Sequence, residues 1–138
     1  MKNIMIVCGI AMLSLTASAQ KLSADKVPAA VKAKFASLYP SVSAPKWEME
    51  KADYEAGFTS GKTEMSVVID AKGELKETET RIEISALPKN VTDYLTKQYP
   101  NAKISEAAKI VDAKGVLKYE AEVNHKDILF DDKGNLIK

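Results

Sequence analysis

The sequence has little of the side chains on which most catalytic and metal sites depend. Its 138 residues include one cysteine, one histidine and one tryptophan. A zinc cluster needs several Cys or His ligands, and any Ser–His–Asp triad would have to use the single His125. The sequence also contains no Gly-x-Ser-x-Gly motif and no glycine-rich phosphate loop. This composition argues against an enzyme.

An excess of charge of one sign is also missing. The chain has 20 Lys+Arg against 19 Asp+Glu, a formal net charge of +1. Proteins that bind the nucleic-acid backbone carry a basic excess, because they neutralise phosphates. We therefore expect no nucleic-acid partner. The length suits one ordinary domain or two very small ones.

The first 19 residues have the pattern of a secretory signal peptide. Lys2 is followed by an apolar run from Ile4 to Leu15 and by the small residues Ala17-Ser18-Ala19. The run is shorter than the roughly 20 residues that span a bilayer. Lipidation at Cys8 is disfavoured, because Cys8 lies inside the run. We predict cleavage after Ala19, a periplasmic protein without cysteine, and no membrane insertion of the mature chain.

An internal repeat organises the remaining residues. The segment Val27-Pro28 to Tyr39-Pro40 recurs as Leu87-Pro88 to Tyr99-Pro100, at an offset of 60 positions. Farther along, residues 68–75 recur as residues 129–136 with an Asp-x-Lys-Gly turn in each. Such recurrence predicts two copies of one supersecondary unit. We place them at residues 20–85 and 86–138, as one compact domain or as two tightly joined halves.

Each copy begins with a predicted helix and continues as predicted strands. Val31, Phe35 and Tyr39 recur at helical spacing, and Pro40 predicts the end of the helix. The later segments alternate apolar and polar residues, which is typical of strands with one buried face. We predict an α+β fold, a tandem repeat of α-β-β-β-β units. Its antiparallel sheet carries the helices on one face and leaves an open, concave opposite face.

The alternation also predicts where the fourth strand ends and which aromatic side chains are buried. The fourth strand is expected to run from Leu75 towards Ile84, with Ile82 and Ile84 facing inwards. Trp47, Tyr54 and Phe58 share the phase of the buried face, so these aromatic side chains are expected in the core and not at a binding surface.

The paired pattern of hydrophobic-Pro, helix, Tyr-Pro and strands ending in Asp-x-x-Gly-x-Leu resembles the PepSY-like periplasmic proteins of Bacteroidetes. That family is similar in fold to the β-lactamase inhibitor protein. The resemblance covers about residues 25 to 138. It implies a periplasmic, non-catalytic protein that binds or inhibits another protein, and no inhibitor contact residue carries over by position.

The repeated turns raise the question of a metal. An Asp-x-Lys-Gly sequence begins at each of Asp70, Asp112 and Asp131, and the last also contains Asp132. The favoured interpretation is a hairpin turn in which Asp accepts local N–H bonds and Gly has a positive φ. The alternative is calcium at these four aspartates or on the acidic strand face. Apart from calcium, no cofactor is expected.

The polar positions of the predicted strands form the candidate binding face. They are Glu48, Glu50, Glu55, Glu64, Glu77, Glu79, Arg81, Lys118, Glu120 and Glu122. Two interpretations fit equally well. The first is a solvated face whose charges prevent aggregation of the sheet. The second is an acidic platform for a basic loop or peptide.

The leading functional hypothesis is a non-catalytic periplasmic module that docks an unknown protein partner through the open sheet face. A protease or another envelope enzyme would be blocked sterically by such docking. One alternative is a calcium- or small-ligand-responsive envelope protein, and another is a structural or assembly role. We expect a monomer or a weak homo-oligomer.

Overall fold

The computed structural model describes residues 20–137 of the chain. The predicted signal peptide and its cleavage site therefore lie outside the described residues. Within the described range, no helix has both the length and the apolar character needed to cross a membrane.

Two ten-residue helices, α1 (Ala29–Leu38) and α2 (Lys89–Gln98), lie where the repeat predicts them. Pro28 and Pro88 occupy the N-cap positions, one residue before each helix. Each helix ends just before the tyrosine that precedes a proline, since this tyrosine is restricted to non-helical backbone angles. A single-turn 3-10 helix, at residues 24–26 and again at residues 84–86, precedes each α-helix.

The strands form one antiparallel sheet in which they follow each other in chain order. They are β1 (Gln20–Leu22), β2 (Lys46–Glu50), β3 (Asp53–Ser60), β4 (Thr63–Ile69), β5 (Leu75–Arg81), β6 (Ile104–Asp112), β7 (Leu117–Val123) and β8 (Lys126–Asp131). The fold is α+β, with an open eight-stranded sheet and two helices.

The strand boundaries differ from the prediction in three places. Strand β1 was not predicted, because three residues are too few to show an alternating pattern. Strand β5 ends at Arg81, and Ile84 begins the second 3-10 helix with 39% of its surface exposed, so its inward orientation was wrong. The tail after Asn135 makes a single bridge between Phe130 and Leu136.

The buried side chains form two clusters that share no residue. The first comprises Val27, Val31, Phe35, Trp47, Ala56, Val67 and Ile69. The second comprises Leu87, Val91, Leu95, Ala107, Ala121, Val123, Ile128 and Phe130. Each cluster joins the apolar stripe of one helix to neighbouring strands, and burying each large side chain contributes about 1.5–3 kcal/mol.

Aromatic packing in the first cluster confirms the prediction for Trp47. The ring of Phe35 meets Trp47 and Phe58 edge to face, at centroid distances of 5.6 and 5.2 Å. Tyr54 and Phe58 pack against the cluster and are partly buried. These aromatic residues therefore hold α1 on the sheet.

The three Asp-x-Lys-Gly segments form the same turn. In each, the aspartate Oδ1 accepts hydrogen bonds from the backbone N–H groups two and four residues later, at 2.8–3.0 Å. The glycines Gly73, Gly115 and Gly134 have φ values of 85°, 81° and 78°. This geometry confirms the hairpin interpretation of the three segments.

The turns differ in what they touch. A Cβ atom on Gly73 would lie 2.8 Å from the Ala30 carbonyl oxygen in α1. One on Gly134 would collide with the side chain of Asn90 in α2, which also donates a hydrogen bond to the Lys133 carbonyl. A Cβ on Gly115 would meet nothing within 4 Å. Two of the turns therefore dock the beginning of a helix, whereas Gly115 in the middle turn faces open space.

Alanine at these three glycines is expected to separate backbone strain from helix docking. Gly115→Ala should lower the free energy of unfolding by about 1 kcal/mol, because only the positive φ is penalised. Gly73→Ala and Gly134→Ala should lower it further, since the added methyl group also displaces a helix. Urea unfolding of the three variants measures the differences.

A second substitution distinguishes the turn at Gly134, which contacts a side chain, from the turn at Gly73, which contacts a backbone carbonyl. Asn90→Ala removes the flexible side chain that obstructs Gly134→Ala, so the double variant should recover part of the lost stability. The neighbour of Gly73 is a backbone carbonyl, which no side-chain substitution removes. Equal losses for all three glycine variants would contradict the docking of helices on these turns.

Candidate functional site

The predicted binding residues share one face of the sheet, which we call the groove face. Directly paired residues of neighbouring strands lie on the same face, and residues two apart in one strand do so too. Glu55 is paired with Glu48 and Val68, Glu79 with Ser66 and Ile110, and Glu120 with Ala108 and Leu129. These pairs, extended by alternation, place all ten predicted residues on the groove face.

A depression of about 320 Å³, which we call the acidic groove, lies on this face. It is bordered by Glu50, Lys51, Glu55, Ser66, Val68, Glu77, Glu79, Ile110, Glu120, Asp127 and Leu129. Glu50 lies in β2 and Asp127 in β8, six strands away, which in a flat sheet is a distance of about 29 Å. Because both border one depression, the sheet curves around the groove face.

Apolar side chains form the floor of the groove. Ile110 borders the groove and is only 8% exposed, and Ala108, two residues away on the same face, is 5% exposed, although neither belongs to a hydrophobic cluster. Val68 and Leu129 border the same groove and are partly buried. The carboxylates on this face therefore stand beside a surface that solvates them poorly.

Two glutamates respond strongly to this environment. Burial raises the pKa of Glu79 to about 7, and the charges of Glu55 and Asp127 add to the effect. Burial likewise raises the pKa of Glu120 to about 8, with further contributions from Glu79 and Asp127. Burial also raises the pKa values of Glu50 and Asp127. Glu79 and Glu120 thus hold protons near neutral pH that isolated carboxyl groups would release.

A second depression adjoins the acidic groove and contains Arg81. The guanidinium donates from Nη1 to Glu64 Oε2 at 2.6 Å and from Nη2 to Glu106 Oε1 at 2.8 Å. All three side chains are exposed, so each pair contributes at most about 1 kcal/mol. Arg81 is held by these two partners and is not paired with Glu79 or Glu120.

The structure adds two acidic residues that the sequence pattern did not reveal. Asp127 is the second residue of β8, where the alternation with Leu129 was the available signal. Glu106 follows an irregularity in the pairing of β6 with β7, between Ile104 and Glu106. This irregularity shifts the phase of the strand, so strict alternation from Ile104 would place Glu106 on the core face instead of the groove face.

Other predicted residues lie away from the groove. Glu48 and Lys118 are on the groove face but outside both depressions. The single His125 lies in the β7–β8 turn with its side chain 98% exposed. In residues 20–137 no three His, Cys, Asp or Glu side chains are grouped so as to hold a metal ion.

The turn aspartates are engaged locally. Backbone N–H donors at Glu74 and Val116 lower the pKa values of Asp70 and Asp112, and the Asn135 side chain does most to lower that of Asp131. Their carboxylates therefore serve the turns, and Asp132 is an exposed neighbour of Asp131.

Comparison with known proteins identifies the family of this chain. A family model described as beta-lactamase-inhibitor-like and PepSY-like matches residues 14–77 and, in a second match, residues 52–138. The chain belongs to the PepSY-like family. No curated protein matches it significantly.

Solved structures share the PepSY-like fold of this chain at low sequence identity. A protein of Bacteroides eggerthii described as periplasmic has a TM-score of 0.70 and 18% identity, over 81% of this chain and 86% of that chain. A DUF2874 family protein of Bacteroides uniformis gives 0.69 and 20%, over 80% and 86%. A BLIP-like protein of Bacteroides fragilis gives 0.61 and 24%, over 80% and 84%.

The raised pKa values predict that stability falls as the solution becomes more alkaline. The folded chain binds protons at Glu79 and Glu120 more tightly than the unfolded chain does. Their contribution to stability is therefore fully present below about pH 4.5 and is lost as pH rises through about 7 and 8. Urea unfolding between pH 5.5 and pH 8.5 measures this loss, in a range above that in which the turn aspartates titrate.

The double variant Glu79→Gln/Glu120→Gln should remove most of this dependence. At pH 8.5 it is expected to exceed the parent in stability by about 2 kcal/mol, after allowance for the partial exposure of both groups. Glu83→Gln, at an exposed glutamate outside the groove, controls for the loss of a negative charge. A parent protein as stable at pH 8.5 as at pH 5.5 would contradict this account of the groove.

Proposed function

We propose that the protein is a non-catalytic periplasmic binding module that docks another protein through the groove face. Where the partner is an envelope enzyme such as a protease, docking near its substrate cleft blocks it sterically. The proposal involves no covalent step and no cofactor.

The observation that carries this proposal is that the two hydrophobic clusters lie on the face of the sheet opposite the groove face. Ala56, Val67, Ala121 and Phe130 belong to the two clusters and alternate along their strands with groove-face residues. Both helices pack into those clusters, so we infer that they cover the face opposite the groove face. A concave sheet face without a covering layer is accessible to a partner.

The repeat supports the same arrangement. The helices begin 60 positions apart, and each starts against an Asp-x-Lys-Gly turn, at Gly73 and at Gly134. We infer two copies of one unit, which present their strands to a partner as one continuous surface. The predicted signal peptide and the periplasmic description of the Bacteroides eggerthii protein support the location.

The character of the groove favours a macromolecular partner over a small molecule. Pockets for small molecules are mostly apolar, with a few placed polar groups. The acidic groove is bordered by six carboxylates and one lysine beside its apolar floor. The beta-lactamase-inhibitor-like description of the family model supports protein binding as well.

Calcium response is the alternative that the sequence left open. The three turn aspartates already accept two backbone hydrogen bonds each, which accounts for their presence without a metal. Calcium titration followed by the melting temperature tests the alternative, because an ion that binds only the folded chain raises that temperature.

Blocking the groove face should abolish capture of the partner. The mature chain, immobilised, is incubated with a periplasmic extract, and the retained proteins are identified. Ser66→Tyr places a bulky neutral side chain in the acidic groove, so we expect loss of partners that the parent retains. Purified partner and parent chain should then give a measurable Kd in solution.

Ser37→Tyr is the matched control, because Ser37 is an exposed residue of α1. Both variants are first checked for an unchanged melting temperature. Partners retained equally by Ser66→Tyr and Ser37→Tyr would contradict docking on the groove face.

A further inference from the structure

We propose that the groove face receives a lysine- or arginine-bearing segment of the partner protein. Its cationic side chain lies along the apolar floor and ends between Glu79 and Glu120. This inference rests on the proposed function and specifies the chemistry of the partner at the same face.

Charge complementarity is the first support. Six carboxylates border the acidic groove and Lys51 is its one basic residue, whereas the whole chain has 20 basic and 19 acidic residues. The acidic excess is therefore a local arrangement and not a consequence of composition. The neighbouring Arg81 is already held by Glu64 and Glu106. Once Glu79 and Glu120 are ionised, above about pH 8, the groove thus carries negative charge that the described residues leave uncompensated.

The apolar floor specifies the shape of the cation. Ile110 is 8% exposed at the middle of the groove, with Val68 and Leu129 beside it. Lysine and arginine side chains bury their methylene groups on apolar surfaces while the charged end stays polar. A cation on a long aliphatic stem therefore satisfies both the floor and the carboxylates.

The distribution of the carboxylates favours a polypeptide over a single ion. They come from β2, β3, β5, β7 and β8, and no three of them are grouped so as to hold a metal ion. An extended segment carries charges spaced along its length, as the carboxylates are spaced across the sheet. It also has the apolar stems that a hydrated ion lacks.

Binding of such a segment is coupled to pH. Around pH 6, Glu79 and Glu120 are largely protonated, and around pH 8.5 they are largely ionised. The charged groups around them are Glu50 from β2, Lys51 from the β2–β3 turn, Glu55 from β3, Glu64 from β4, Glu77 and Arg81 from β5, Glu106 from β6, Glu122 from β7 and Asp127 from β8. Lys118 of β7 lies on the same face but outside both depressions. A bound cation favours the ionised carboxylates, so affinity rises with pH.

The test uses defined peptides and the mature chain. A fluorescently labelled peptide in which lysine alternates with valine is titrated with the protein, and anisotropy gives Kd. We expect Kd to fall about tenfold between pH 6 and pH 8.5 and to rise with salt, because the interaction is largely electrostatic.

Two further peptides test the roles of stem and charge. Replacing each lysine by diaminopropionic acid shortens the aliphatic stem, so we expect weaker binding. The comparison is made at pH 6, where the two peptides carry the most similar charge. Replacing each lysine by glutamate should abolish binding. Equal affinity of the long- and short-stemmed peptides would overturn the contact with the apolar floor.

Matched variants locate the binding on the protein. Glu79→Gln/Glu120→Gln should raise Kd at pH 8.5 about tenfold and remove most of its pH dependence. Glu74→Gln/Glu83→Gln removes two exposed carboxylates outside the groove and should change Kd little. Equal effects of the two double variants would overturn the proposal, because they would indicate general attraction to an acidic surface.

The same experiment distinguishes two other occupants of the groove, a calcium ion and a second copy of the chain. In one outcome, low millimolar calcium displaces the peptide completely, whereas sodium at the same ionic strength does not. This result would overturn the proposal in favour of a metal site. Self-association that is abolished by Glu79→Gln/Glu120→Gln would overturn it in favour of a second copy of the chain.

The proposed function and this inference fail in different ways. If Ser66→Tyr abolishes capture of a partner but Glu79→Gln/Glu120→Gln leaves the Kd of that partner unchanged at pH 6 and pH 8.5, docking on the groove face stands and the basic segment is wrong. If Ser66→Tyr leaves capture unchanged, the proposed function itself is wrong.

Discussion

A β-strand sends successive side chains to opposite faces of its sheet, and this constraint decides both the core and the candidate site of this protein. Six strands contribute buried apolar residues such as Ala56 and Phe130 to one face, where the two clusters form. The residues between them must occupy the other face. The core and the groove face are therefore the two halves of one alternating pattern.

Curvature turns this second face into a concave groove. Glu50 and Asp127 belong to strands that a flat sheet would keep far apart, yet they border one groove. Small residues on the concave side, such as Ser66 and Ala108, leave room for this approach. Carboxylates that are brought together over Ile110 repel one another and lose water, which explains why their acidity is weakened.

Local signals in the sequence predict much of this fold. The proline pairs define both helices, the Asp-x-Lys-Gly segments define three turns, and alternation identifies ten residues of the groove face. These features depend on residues close together in the chain. Trp47 could be assigned to the core for the same reason, because its phase in β2 is visible from its neighbours.

Features that depend on distant residues could not be predicted. The approach of Glu50 to Asp127 results from the curvature of the whole sheet, and β1 is recognisable only through its pairing with β2. The phase shift before Glu106 arises from an irregular pairing with β7, which single-strand alternation does not reveal. Residues close together in the chain thus suffice to predict most strands, whereas the residues that border the groove depend on the arrangement of distant strands.

The open space at Gly115 in the middle turn gives this fold room for diversification. Residues 112–115 close the β6–β7 hairpin, Ala113 donates a hydrogen bond to the Lys76 carbonyl, and Asp112 and Lys114 lie beside Lys51 and Glu77 at one end of the groove face. Lengthening a hairpin tip of this kind adds only a small loop entropy and leaves both clusters intact. Insertions here would enlarge the proposed contact surface without changing either hydrophobic cluster.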